Sequence, residues 1–155
     1  MTPVANKIFI YPVKSLDGVE VDEAELSSGG TLLHDREFAI LDSDGNFING
    51  KRTAQVHLLR SSVDFTTETI SLRHQHRAEE TVFHLHRERK AINRWLTDFF
   101  EYPATLHQNL DGQFLDIPEL SGITILSRAS LDETVKWHEV TFDEARRRFR
   151  ANVEI

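Results

Sequence analysis

Lys7-Ile8-Phe9-Ile10-Tyr11-Pro12-Val13-Lys14-Ser15 is the stretch from which the fold is read. An apolar run of strong β-formers stops at Pro12, which has no N–H to continue a sheet ladder, and a lysine and a serine follow immediately. Gly18-Val19-Glu20-Val21-Asp22 then alternates apolar and polar with period two, so Lys14 and Ser15 belong to a strand-to-strand loop. Arg36 to Leu41 reads as the next strand. Asp42-Ser43-Asp44-Gly45-Asn46 reads as a hairpin turn into Phe47-Ile48, because Asp-Gly accepts the positive φ of a tight turn. The chain therefore opens as a β-meander.

Further on, Val56 to Phe65 predicts more strand, Thr66-Thr67-Glu68 a turn, and Ile70/Leu72 with Val82/Phe83/Leu85 a second hairpin around His76 to Glu80. In Arg89 to Phe100, Ile92, Trp95, Leu96 and Phe99 fall on one apolar stripe, which predicts a helix ended by Pro103. Leu106 is expected in a short strand, Gln108 to Pro118 in a loop, and Gly122 to Leu126 in a buried strand. Ser130 with Glu133, and Thr141 with Glu144, have capping-box spacing, predicting helices over Leu131 to Trp137 and Phe142 to Arg147. Phe149 to Ile155 alternates again as a strand. A free strand edge there would be sticky, which makes dimerisation through it an expectation.

Composition sets the bounds. The chain has 155 residues, 39% of them hydrophobic and 28% charged, as expected for a globular protein of one domain or one domain plus part of a second. Its 18 Lys and Arg against 25 Asp and Glu leave a net charge of −7, which argues against general nucleic-acid binding but leaves room for a local basic pocket. No apolar run approaches the ~20 residues of a membrane span, and Met1 to Ile10 lacks a secretory pattern, so a cytoplasmic location without a membrane anchor is expected. The absence of cysteine removes disulfides, thiolate ligands and cysteine nucleophiles from this chain.

Several motifs reduce to ordinary structure. Asp42-x-Asp44-x-Asn46 resembles a calcium loop but has Phe47 where glycine is needed and Thr53 where glutamate is needed. His74/His76 and His84/His86 are two His-x-His pairs, yet Phe83 and Leu85 alternate with the second pair, which puts those histidines on the solvent face. Gly29-Gly30 lacks the spacing of a dinucleotide fingerprint, and neither a P-loop nor Gly-x-Ser-x-Gly occurs. Arg146-Arg147-Arg148 reads as a solvated helix end complementing the helix dipole. Lys14, Arg36 and Arg150 are different, since each borders a strand and together they could grip a phosphate through charge-assisted hydrogen bonds.

Four segments occur in order: Tyr11-Pro12-Val13-Lys14-Ser15-Leu16-x-Gly18, Asp35-Arg36-Glu37-Phe38-Ala39-Ile40-x-Asp42-x-x-Gly45, Ile125-Leu126-Ser127-x-Ala129-Ser130-Leu131, and Arg148-Phe149-Arg150-x-Asn152-Val153. The series resembles the MOSC family, named for the C-terminal domain of molybdenum cofactor sulfurase, in the version that begins with an N-terminal β-barrel domain and includes the mitochondrial amidoxime reducing component and its bacterial relatives. The resemblance implies a mainly β fold with a few helices. An N-terminal MOSC-type β-barrel would occupy residues 1–118, and the first part of a MOSC domain residues 119–155.

It also implies a molybdopterin cofactor, with Lys14 and Ser15 on its phosphate, Arg36 and Ser121 as further contacts, and Arg150 and Asn152 on phosphate and pterin edges. Leu120 stands where relatives of the reducing component carry threonine, and Ala151 replaces the usual proline. The family's molybdenum-ligating cysteine is expected beyond Ile155, so this cysteine-free chain alone is expected to lack the family's redox activity. The complete protein would reduce N-hydroxylated small molecules with electrons from an iron–sulfur or flavin reductase partner. Two other readings are a non-catalytic recognition or interaction module and a role in sulfur transfer for cofactor or metal–sulfur assembly.

Overall fold

The computed structural model describes residues 4–110, 113–117 and 122–155. Its strands are β1 (Lys7–Ile10), β2 (Val19–Val21), β3 (Phe38–Leu41), β4 (Leu59–Asp64), β5 (Thr69–His74), β6 (Thr81–His84), β7 (Thr105–Gln108), β8 (Ile125–Leu126) and β9 (Val153–Glu154); its helices are α1 (Arg89–Phe100), α2 (Arg128–His138) and α3 (Phe142–Phe149). The fold is mostly sheet with three helices. Among the described residues the strands form three sheets, ordered β2-β1-β9-β8, β3-β7 and β4-β5-β6, and no ring of strands closes.

The expected opening meander goes no further than the β1–β2 hairpin, because β3 pairs with β7, Phe38 opposite Gln108, and not with β2. β1 pairs antiparallel with β2, Phe9 opposite Glu20, while the β4-β5-β6 meander alternates buried Leu59, Val63, Ile70, Leu72 and Phe83 with solvent-facing residues. α1 lays Ile92, Leu96 and Phe100 into the core they share with β3 to β7. Phe100 is buried and Phe99 only partly, so the deepest line runs i, i+4, i+8, and Trp95 stacks on Phe99 at its margin, 5.3 Å between ring centroids. The stretch expected to begin as strand at Val56 instead starts with a 3₁₀ turn over Ala54–Leu58, and the ladder opens at Leu59.

The C-terminal segment departs further. Ser127, not Ser130, caps α2, accepting the Ser130 N–H at 3.1 Å, so the helix starts three residues earlier than its Ser-x-x-Glu spacing predicts. Thr141 and Glu144 do form the expected reciprocal capping box on α3, which continues through Phe149. The strand expected over Phe149 to Ile155 is thus only β9. It lies between β1, antiparallel, and β8, parallel, and is not the free edge anticipated for dimerisation. The edges of this sheet are β2 and β8, and Ile125 on the β8 edge is 63% exposed rather than buried.

Arg146 and Glu154 lock α3 against this sheet. The guanidinium grips the buried carboxylate at two points, Nε to Oε1 at 2.5 Å and Nη2 to Oε2 at 3.0 Å. Removing the arginine strands a carboxylate that has left water. In chemical denaturation Arg146→Ala is expected to lose about 3 kcal/mol, whereas Lys7→Ala, which breaks the solvent-facing pair with Glu20, should lose less than about 1 kcal/mol.

Candidate functional site

Three chain crossings meet at one cavity of about 1020 Å³, which residues within 49–60 and residues 114–116 also line: the loop after β1, the approach to β3, and the link from α3 to β9. The first two are tied by backbone, with Arg36 N–H donating to Tyr11 O at 2.7 Å, Phe38 N–H to Pro12 O at 2.9 Å and Lys14 N–H to Phe38 O at 2.7 Å. The third is tied through Asn152, whose N–H donates to Thr124 O at 2.9 Å and whose carbonyl accepts from Phe9 N–H at 2.7 Å. Lys14, Ser15, Arg36, Arg150 and Asn152, distant in sequence, all line this one space. Ser121 lies outside the described residues.

The backbone at this site is held in unusual conformations. Ser15, Arg36 and Arg150 all have positive φ, 71°, 53° and 54°, a region that costs non-glycine residues energy. Arg150 gets there as the left-handed residue ending α3, a position where glycine is common. The conformation turns its side chain back across Tyr11. Gly18 makes room for that tyrosine, since a Cβ on it would come within 2.6 Å of the ring.

Tyr11 carries two cations. Arg36 sits 4.8 Å from the ring centroid and Arg150 4.3 Å, a cation–π pair that places like charges side by side. Burial raises the Tyr11 hydroxyl to about 12, so it stays neutral and its O–H donates to Ala151 O at 3.3 Å. Burial first, and Arg36 second, lower Arg150 to about 10, which leaves it charged at neutral pH. One Arg150 Nη1 bond goes to Leu16 O, but its Nη2 is buried with no hydrogen-bond partner. A buried donor left open is costly unless something fills it.

Asp35 supplies the internal counter-charge. It is 2% exposed and accepts from Tyr11 N–H at 2.8 Å, from Asn152 Nδ2 at 3.1 Å and from the Arg36 guanidinium. Asn152 is equally committed: its other amide hydrogen goes to Phe9 O at 3.2 Å, and its oxygen accepts from Thr124 N–H and Oγ1 at 3.2 and 2.9 Å. That fills the hydrogen-bonding capacity of its amide. Sequence reasoning gave no role to Asp35, Tyr11 or Thr124. Asp35 and Tyr11 were visible as motif members, while nothing in the sequence marks Thr124.

Lys51, Arg60, Arg147 and Arg148 add positive charge to the lining, so seven Lys or Arg line the cavity against four Asp or Glu, on a chain whose net charge is −7. Arg60 is neutralised by Asp17 at 3.1 Å, and Lys14 by Asp116 at 2.5 Å. The arrangement suits an anion with several oxygens. The histidine pairs stand apart from it, and no group of metal-ligating side chains occurs among the described residues. No helix among them is long and apolar enough to cross a membrane.

Comparison with known proteins covers the first two of the four motifs. Residues 2–103 match the family model of the MOSC N-terminal beta barrel domain. The chain is 34% identical over 68 residues to the human mitochondrial amidoxime-reducing component 1, covering 42% of this chain and 20% of that protein. It is 32% identical over 72 residues to molybdenum cofactor sulfurase 1 of Aedes aegypti, covering 46% and 9%, and 32% identical over 71 residues to the bovine mitochondrial amidoxime reducing component 2, covering 44% and 20%. The matches thus span a fifth or less of these relatives. With about two thirds of its length under that model, the chain belongs to the MOSC N-terminal beta barrel domain family.

Proposed function

We propose that the cavity holds the phosphate-bearing end of a molybdopterin cofactor, and that the complete protein is an oxidoreductase acting on N-hydroxylated small molecules. The family match and the names of the relatives support a molybdenum-cofactor-related function in general. The observation that carries the finer reading is the Arg150 guanidinium, buried beside Arg36 with one nitrogen unpaired. Two like charges held together on one ring call for an anion between or above them.

In this reading Arg36 and Arg150 bind the phosphate through their open N–H groups, Lys14 adds an ammonium charge, and Ser15 donates its hydroxyl. Asn152 keeps the Arg150 segment in place, and Ser121 would add a contact as the family pattern implies. When bound, such a cofactor supplies redox chemistry at molybdenum, and the protein's part is to position it. This chain has no cysteine to offer the metal, so a thiolate would come from polypeptide beyond residue 155 or from another chain. In that arrangement residues 119–155 begin the second domain, and an iron–sulfur or flavin reductase partner delivers electrons. A second reading, a non-catalytic recognition module, is favoured by the same lack of cysteine.

Inorganic pyrophosphate titrated calorimetrically into the chain tests the anion site. Arg150→Gln and Lys14→Ala are each expected to weaken binding by about 10- to 100-fold, the worth of a hydrogen bond to a charged group; unchanged affinity in both would remove the phosphate role. In a longer chain that carries the downstream segment, the same substitutions should lower molybdenum content per protein.

The site also has a pH signature. Because burial depresses Arg150 to about 10, its charged form is present below pH 10 and is lost as pH rises through that value. Burying the charge costs stability at neutral pH, and an anion relieves the cost by binding the charged form. The affinity gap between the unmodified chain and Arg150→Gln should therefore be constant from pH 7 to 9 and close above about 10.

A further inference from the structure

The lysine of the site is already bound to an acid from its own chain. Lys14 is 9% exposed, and its Nζ donates to Phe114 O at 2.8 Å and to the Asp116 carboxylate at 2.5 Å. The two partners are held very differently. Phe114 is anchored, its N–H donating to Arg36 O at 2.8 Å and its ring meeting Phe47 edge-on at 5.8 Å between centroids, while Lys14 itself lies 4.9 Å from the Phe47 ring. The Asp116 side chain is 66% exposed, and its other oxygen only reaches Lys51 at 3.5 Å. Lys14 holds the Asp116 carboxyl below the usual carboxylate range, so it is an anion at neutral pH.

We infer that Asp116 is a specificity-determining residue of the anion site: its carboxylate occupies Lys14 as an internal competitor, which an incoming anion must displace. The inference rests on the anion reading of the cavity given above. An ammonium has three donors. Phe114 O takes one and fixes the direction of Lys14, so turning the Asp116 side chain outward frees a donor already pointed at the cavity. No backbone needs to move.

The competition is between an intramolecular carboxylate and a free ligand. A tethered partner acts at an effective concentration on the order of millimolar or above, so a free carboxylate at lower concentration gains little by exchanging with it. A polyanion gains more, because it contacts Arg36 and Arg150 as well as Lys14. The residue therefore filters the site for ligands with several anionic oxygens, such as a phosphate ester or diphosphate, over monocarboxylates. Asp116 contributes nothing to holding the ligand and subtracts from the affinity of every anion that uses Lys14.

Calorimetric titration of inorganic pyrophosphate and of acetate into the unmodified chain, Asp116→Asn and Asp116→Ala tests this. The side chain is exposed, so both variants should keep the thermal midpoint of the unmodified chain. Pyrophosphate should bind both variants about threefold to fivefold tighter, the upper part of the range for an ion pair with one partner in solvent, with the preference for pyrophosphate over acetate reduced. Equal or weaker pyrophosphate binding by both variants overturns the competitor role and leaves the anion cavity standing. Absence of pyrophosphate binding in all three proteins overturns both.

Discussion

The Asp35 carboxylate is the interaction on which the rest of the site depends. It is buried among three chain crossings and bonds to one group from each: the Tyr11 backbone after β1, the Arg36 side chain before β3, and the Asn152 amide before β9. It also answers an electrostatic problem. Arg36 and Arg150 share the Tyr11 ring, and their repulsion within a partly dry interior has to be offset. One buried anion offsets one of the two charges, so the pair retains an excess positive charge.

That excess is matched by strain. A positive φ at Ser15, Arg36 and Arg150 costs on the order of 1–3 kcal/mol per residue at the upper end, and such conformations persist only where surrounding contacts fix them. Here those contacts are the Asp35 hub, the Asn152 amide with every position filled, and the Arg146–Glu154 lock. The supporting residues take up their own hydrogen-bonding capacity inside the protein. The residues they support, Arg150 above all, line the cavity, and Arg150 keeps a buried donor without a partner.

Much of this was legible in the sequence, for identifiable reasons. Strong period-two runs, the Asp-Gly turn and the α1 stripe reported themselves, because each is a local pattern that burial then satisfies. The cationic members of the site were legible because Lys14, Arg36 and Arg150 border strands, where a charge is not an ordinary choice. Of Arg146-Arg147-Arg148, read together as a solvated helix end, Arg147 and Arg148 are exposed and only Arg146 departs, by pairing with buried Glu154. Successive helix residues point about 100° apart, so Arg146 turns to Glu154 while Arg147 and Arg148 face the cavity. Ser127 was passed over as a cap because Ser130 offers the same spacing to Glu133. Asp116 lay in a stretch read only as loop, and its partner is 102 positions away.

The sheet order links folding to binding. Arg150 lies against Tyr11 where β9 is paired with β1, so the site joins residues near both ends of the described chain. Such distant contacts carry a loop-closure cost with little local gain to offset it. An anion seated on Arg36 and Arg150 bonds to groups that are adjacent only in the folded state, and it relieves the charge that Asp35 leaves uncompensated. Binding therefore stabilises the native arrangement by mass action, and most strongly at the junction of β1, β9 and the Arg36 loop. The same pairing of like charges that makes this junction a poor structural choice without an anion makes it a good recognition element with one.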